Sequence, residues 1–151
     1  MIDTFNRWFV RLQIKALLAF GRRAAALERV QALLATNPTD IYALASLAHL
    51  LAEEGAEPAF RKALALDEKF DRAWYGLALC LIRQQRFDEA VVALKRNTEL
   101  QPMSPFGWYQ LARVHVDRQE PEEAAKIIRH LRKFEPKVAA QLERETGLGQ
   151  P

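Results

Sequence analysis

The stretch AWYGLA at residues 73–78 returns as GWYQLA at residues 107–112, thirty-four residues later, with Trp, Tyr, Leu and Ala in the same order. A fixed period of this length restricts a chain more than its composition can. Each unit must fold in the same way and bury its apolar face against the next. Aligned on the tryptophans, residues 71–104 read DRAWYGLALCLIRQQRFDEAVVALKRNTELQPMS and residues 105–138 read PFGWYQLARVHVDRQEPEEAAKIIRHLRKFEPKV. In the first of these, Trp74, Leu77, Ala78 and Leu81 recur at helical spacing, and after a polar turn Ala90 and Leu94 do so again, with Asn97 as the weak member. Pro102 and Pro136 are expected to close the second helix of each unit, because proline lacks the N–H and crowds the preceding turn. With 6 Gly and 7 Pro in 151 residues, and Ala, Leu, Arg and Glu prominent, the composition agrees with an all-α chain.

Paired helices with this period resemble the tetratricopeptide repeat (TPR), whose pattern is W-x2-L-G-x2-Y, then A-x3-F, then P. Trp74, Leu77, Ala90 and Pro102 match it, as do Trp108, Leu111, Ala124 and Pro136. Ala78 and Ala112 stand in the glycine place, and Leu81 and His115 in the tyrosine place. The resemblance implies a right-handed superhelical α-solenoid of antiparallel helix pairs.

The remaining segments extend the same register across a single domain, 1–151. Residues 41–70 form a shortened repeat, in which Ala56, Phe60 and Ala63 precede Ala90, Leu94 and Asn97 by thirty-four residues. Leu44, Leu47 and Ala48 precede Trp74, Leu77 and Ala78 by only thirty. The four-residue shortfall falls between Gly55 and Ala56: either the turn is shorter here or a loop is missing from the sequence. Residues 1–40 form a degenerate helix pair. Its first helix, over 3–20, carries Phe5, Trp8, Phe9, Leu12, Ala16 and Phe20 at helical spacing, and its second carries Ala26, Val30 and Leu33 before Pro38. Residues 139–151 are read as a capping helix and tail that cover the apolar face of the last repeat.

Several function classes find no support in the sequence. There is no phosphate-cradling glycine loop, nucleophile elbow or metal-spaced His/Cys cluster, so no enzyme activity, cofactor or metal is expected. His115 is read as a packed core residue and His130 as suited to a helix C-terminus. The single Cys80 lies in an apolar run and reads as a buried thiol. Net charge is +3, too mild to imply nucleic-acid binding. Arg7, Arg11 and Lys15 interrupt the most hydrophobic segment, so no transmembrane segment or signal peptide is expected and the chain is read as cytoplasmic.

In the family, the tryptophan position packs between paired helices and the following residue turns toward a concave groove. Trp74 and Trp108 are therefore expected in the core. The same register assigns Tyr42, His49, Arg72, Tyr75, Arg83, Phe106, Tyr109 and Arg113 to the groove, with Glu53 among its neighbours. Arginine forks and tyrosine hydroxyls suit an acidic or C-terminal peptide, so the expected function is a non-catalytic protein- or peptide-binding adaptor. The family's carboxylate clamp for chaperone tails is not reproduced. Arg11, Lys15, Ser46, Arg72 and Gly76 stand at its positions, without the two asparagines. An alternative is a self-associating assembly subunit that uses Phe5, Trp8 and Phe9. Docking of that face on a membrane surface, beside the Arg7–Arg11–Lys15 stripe, is a further reading, and nucleic-acid binding through the groove is a minor one.

Overall fold

A computed structural model describes residues 4–51 and 56–149. Glu53 and the junction after Gly55, where the repeat runs short, lie outside the described residues. Among those described, nine α-helices account for the regular structure and there is no strand. The chain divides into two compact units, Met1–Gly76 and Leu77–Pro151.

The first unit contains α1 (Thr4–Ala19), α2 (Arg23–Thr36), α3 (Ile41–Leu50), α4 (Ala56–Leu66) and the start of α5 (Asp71–Arg83). From α1 to α4, each helix packs on the one before it. Ile14 of α1, Ala26, Val30 and Leu33 of α2, and Ala43 and Leu50 of α3 form one buried cluster, with Val10, Leu17 and Leu47 packed against it. The start of α3 is fixed by Asp40, whose Oδ1 accepts from the Ala43 N–H at 3.0 Å. This N-cap satisfies one of the amides that a helix start leaves without a partner.

The second unit contains the rest of α5, then α6 (Phe87–Leu100), α7 (Pro105–Asp117), α8 (Pro121–Arg132) and α9 (Pro136–Thr146). Each helix from α6 to α9 packs on the next, and α9 also touches α7. Pro102 lies in the turn after α6, as expected. Pro136 instead opens α9, at a position where the absent N–H costs no helical hydrogen bond. The last helix therefore begins inside the segment that the period assigns to the repeat 105–138, because α8 already ends at Arg132.

Equivalent positions are buried repeat after repeat. The small-residue column Ala26, Ala56, Ala90 and Ala124 is buried throughout, and so is the large-residue column Val30, Phe60, Leu94 and Ile128. A third column shows how side-chain size is conserved between touching helices. A Cβ on Gly107 of α7 would stand 2.1 Å from Asn97 Oδ1 on α6, so the glycine exists to admit the buried asparagine. Thirty-four residues earlier the same two positions are Ala73 and Ala63, both buried. Gly107→Ala is accordingly expected to destabilise by about 1–3 kcal/mol through overpacking. Adding Asn97→Ala should return part of that loss by recreating the earlier alanine pair. Urea denaturation of the two single variants and the double variant measures the coupling, and strict additivity would contradict the account.

Candidate partner-binding site

The two tryptophans do not fill the core as expected. Both are half-buried, with the indole N–H donated to the carbonyl of the preceding loop: Trp74 to Glu68 at 2.7 Å and Trp108 to Pro102 at 2.8 Å. The Trp108 ring also meets His130 of α8 edge-on, with centroids 4.6 Å apart. The physical reason is the hydrogen bond. An indole nitrogen needs an acceptor, and the acceptors left open are in the loop at the helix end, which draws one edge of the ring to the surface. Tyr75 and Tyr109 are half-buried as well, so burial does not separate the two rings of each pair. Trp108→Phe is expected to cost about 0.5–1.5 kcal/mol for the lost hydrogen bond. Trp108→Ala should cost about 2–3 kcal/mol, below the loss for a fully buried tryptophan. Thermal denaturation of both variants checks the order.

In the second unit, Tyr109 and Arg113 stand one turn apart on α7 and converge on a carboxylate. Tyr109 Oη donates to Glu145 Oε2 at 2.7 Å, and Arg113 Nη1 donates to the same oxygen at 2.9 Å. Arg113 Nη1 also reaches Tyr109 Oη at 3.2 Å, and its guanidinium lies 5.9 Å from the Tyr109 ring centroid. Glu145 belongs to α9, where the Gln141 side-chain amide donates to its other oxygen at 2.8 Å. The bond from Gln141, then that from Tyr109, holds the Glu145 carboxyl below its ordinary pKa. Tyr109 is raised, first because its proton is held by Glu145. Arg113 is raised chiefly by its bond to Tyr109. A carboxyl with a lowered folded pKa stabilises the fold above its unfolded value, and that contribution fades as pH falls through the folded value. Acidification is therefore expected to weaken the contact of Glu145 with this pair, while α9 stays packed through Ala139 and Leu142.

Other expected groove residues have different surroundings. Arg83 is exposed but lies back along its own helix, its Nε reaching the Leu79 carbonyl at 3.4 Å. Phe106 is 68 % exposed. His115 is buried as expected, with Nδ1 2.6 Å from Glu120 Oε2, and Glu120 also pairs with Arg118 at 3.0 Å. In the first unit, Tyr42 lies beneath two cations, Arg11 at 5.2 Å and Lys15 at 6.0 Å from the ring centroid. Arg11 also donates to buried Asp40 at 2.9 Å, so the basic stripe of α1 is partly neutralised within the unit. His49 sits edge-on to Phe60 at 5.2 Å; loss of hydration, and then the charge of Arg72, lowers its pKa. Arg72 is exposed and Tyr75 half-buried.

Sequence reasoning missed Glu145 and Asp40, the two carboxylates that engage the expected sites. Asp40 carried a legible signal as an N-cap residue immediately before an apolar helix. Glu145 carried none, since nothing local links it to Arg113.

Among the described residues there is no group of acidic, His or Cys side chains able to hold a metal, and no helix is long and apolar enough to cross a membrane. A family model described as tetratricopeptide repeat matches residues 53–105. No curated protein matches the chain in sequence. Among solved structures, a MamA protein superposes with a TM-score of 0.77 at 18 % identity, covering 93 % of this chain and 83 % of its own. A thermophilic TPR protein of Thermus thermophilus, TTC0263, gives 0.73 at 22 % identity, with 93 % and 82 % covered. PilF of Pseudomonas aeruginosa gives 0.77 at 24 % identity, with 92 % and 68 % covered.

Proposed function

We infer that the chain is a tetratricopeptide-repeat protein and propose that it is a non-catalytic adaptor whose second unit accepts a carboxylate of an acidic partner on Tyr109 and Arg113. The observation that carries this reading is the seat of Glu145. A hydroxyl and a guanidinium, one helical turn apart, already aim their donors at a single carboxylate oxygen. Charge-assisted hydrogen bonds of this kind are the stronger ones, and the two donors come from one rigid helix. The two side chains are 48 and 31 % exposed, so the ion pair is partly screened by solvent and weak enough for an incoming acidic segment to exchange with it. On this reading α9 both caps the unit and holds the place of the ligand.

Tyr42, His49, Arg72 and Tyr75 in the first unit, with Arg83 and Phe106 in the second, are proposed as further partner contacts. They offer exposed or half-exposed aromatic area and positive charge. The test is a titration of the full chain with a glutamate-rich peptide and with its glutamine counterpart, followed by NMR. Selective binding of the acidic peptide, with the largest shifts at Tyr109, Arg113 and Glu145, supports the reading. Shifts confined to other residues, or equal binding of both peptides, would retire it.

A further inference from the structure

Helix α1 has two apolar faces. Val10, Ile14 and Leu17 point into the cluster shared with α2 and α3, with Ile14 wholly buried. On the opposite side Phe5, Trp8, Phe9, Leu12 and Ala16 follow the i, i+3, i+4, i+7, i+11 positions of one stripe. The large side chains of that stripe are 70, 57, 46 and 48 % exposed, and Phe20, just beyond the helix, is 82 % exposed. Packing against the next helix pair, which would make this apolar area ordinary core, is thus not what the unit does with it.

The surroundings of the stripe are basic. Residues 4–36 contain six Lys or Arg and one acidic residue, Glu28, and α1 contains no acidic residue at all. With Asp40, which pairs with Arg11, counted beside Glu28, the net charge here is +4, against +3 for the whole chain. Cations border the stripe on both flanks. Lys15 and Arg11 lie toward α3, where they cover Tyr42. Arg22 and Arg29, with Glu28 beside them, line a cleft of about 600 Å³ between α1 and α2, whose wall includes Ala16 of the stripe and Leu17, so the two cations outnumber the single carboxylate there.

We propose that this face docks α1 in the plane of an anionic lipid surface, with Trp8, Phe9 and Leu12 entering the headgroup boundary and Lys15, Arg22 and Arg29 meeting lipid phosphates. Protruding aromatic rings on a helix with basic flanks are the pattern of an interfacial helix. Each Lys or Arg held near an anionic leaflet adds attraction that falls off within a Debye length. A second copy of α1 is disfavoured by the same charges, since two acid-free basic helices would face one another across the contact. Nucleic acid would use the arginines but leave the protruding phenylalanine and tryptophan rings in water.

The full chain would be sedimented with vesicles of phosphatidylcholine alone and of phosphatidylcholine mixed with phosphatidylserine. Partition onto the mixed vesicles should be at least about tenfold stronger and should weaken with added salt. Trp8→Ala with Phe9→Ala should lower that partition by about tenfold or more while helicity and melting temperature stay unchanged, because both rings are exposed. Lys15→Glu with Arg29→Glu should remove the preference for phosphatidylserine. Failure to sediment with either vesicle, or partition indifferent to both pairs of substitutions, would overturn the proposal. So would a lipid-free dimer in sedimentation equilibrium that Trp8→Ala with Phe9→Ala abolishes, since a second copy would then own the face.

Discussion

Arg113→Glu is expected to weaken binding of a glutamate-rich peptide by about 2 kcal/mol, roughly thirtyfold in Kd, the lower end of the range for losing one partner of a charge pair desolvated on binding. The lower end applies because the Arg113 side chain is 48 % exposed in the free chain and keeps much of its hydration. The substitution removes the donor and brings a second negative charge against Glu145. Folding should change little, by no more than about 0.5 kcal/mol, since the pair is exposed and exposed pairs contribute little. Arg113→Lys should recover part of the affinity, because a lysine restores the charge without the planar fork. Glu145→Gln acts in the opposite sense. It removes the resident carboxylate while the Tyr109 and Arg113 donors remain, so affinity for the peptide should rise by a factor well under about ten. Titration calorimetry on the three variants decides the matter: an unchanged Kd for Arg113→Glu, at low and moderate salt, would leave the α7–α9 contact a purely structural one.

Leu94→Ala is expected to cost about 2–5 kcal/mol of stability, a large share of what a unit of this size possesses. Leu94 is wholly buried on α6 and stands in the column that Val30, Phe60 and Ile128 occupy elsewhere, so no neighbouring element can swing in to fill the void without disturbing its own repeat contacts. Because α6 packs on α7, which in turn packs on α8 and α9, the loss should spread through the second unit and broaden the unfolding transition. Val92→Ala, two residues away on the same helix, is the control. Val92 is 65 % exposed and its truncation should stay within about 0.5 kcal/mol. Urea denaturation followed by circular dichroism measures both, and similar losses at the two positions would break the link between repeat register and burial.

The periodicity of the sequence was enough to locate the helix pairs and the buried columns. Apolar spacing along a helix reports which side faces inward, and a thirty-four-residue period repeats that report, so Ala90, Leu94 and Ala124 were legible as core from the sequence. His115 was legible for the same reason, as a residue on an inward face. Burial of the tryptophans was misjudged because periodicity describes which side a residue faces and is silent about its polar atom. The indole N–H of Trp74 and of Trp108 had to find an acceptor, and the loop carbonyls of Glu68 and Pro102 that supply one are set by how the preceding turn closes.

The candidate site divides along the same line. Tyr109 and Arg113 could be paired from sequence, because residues four apart share a helix face. That Glu145 fills the space between them, that Asp40 neutralises Arg11, and that Trp8, Phe9 and Leu12 on the outer stripe of α1 stay exposed are outcomes of how the described helices pack. Local propensity and spacing decide which residues form a helix and which of its sides is apolar. Only the packing of one helix on another decides which charges meet, and which apolar side stays exposed.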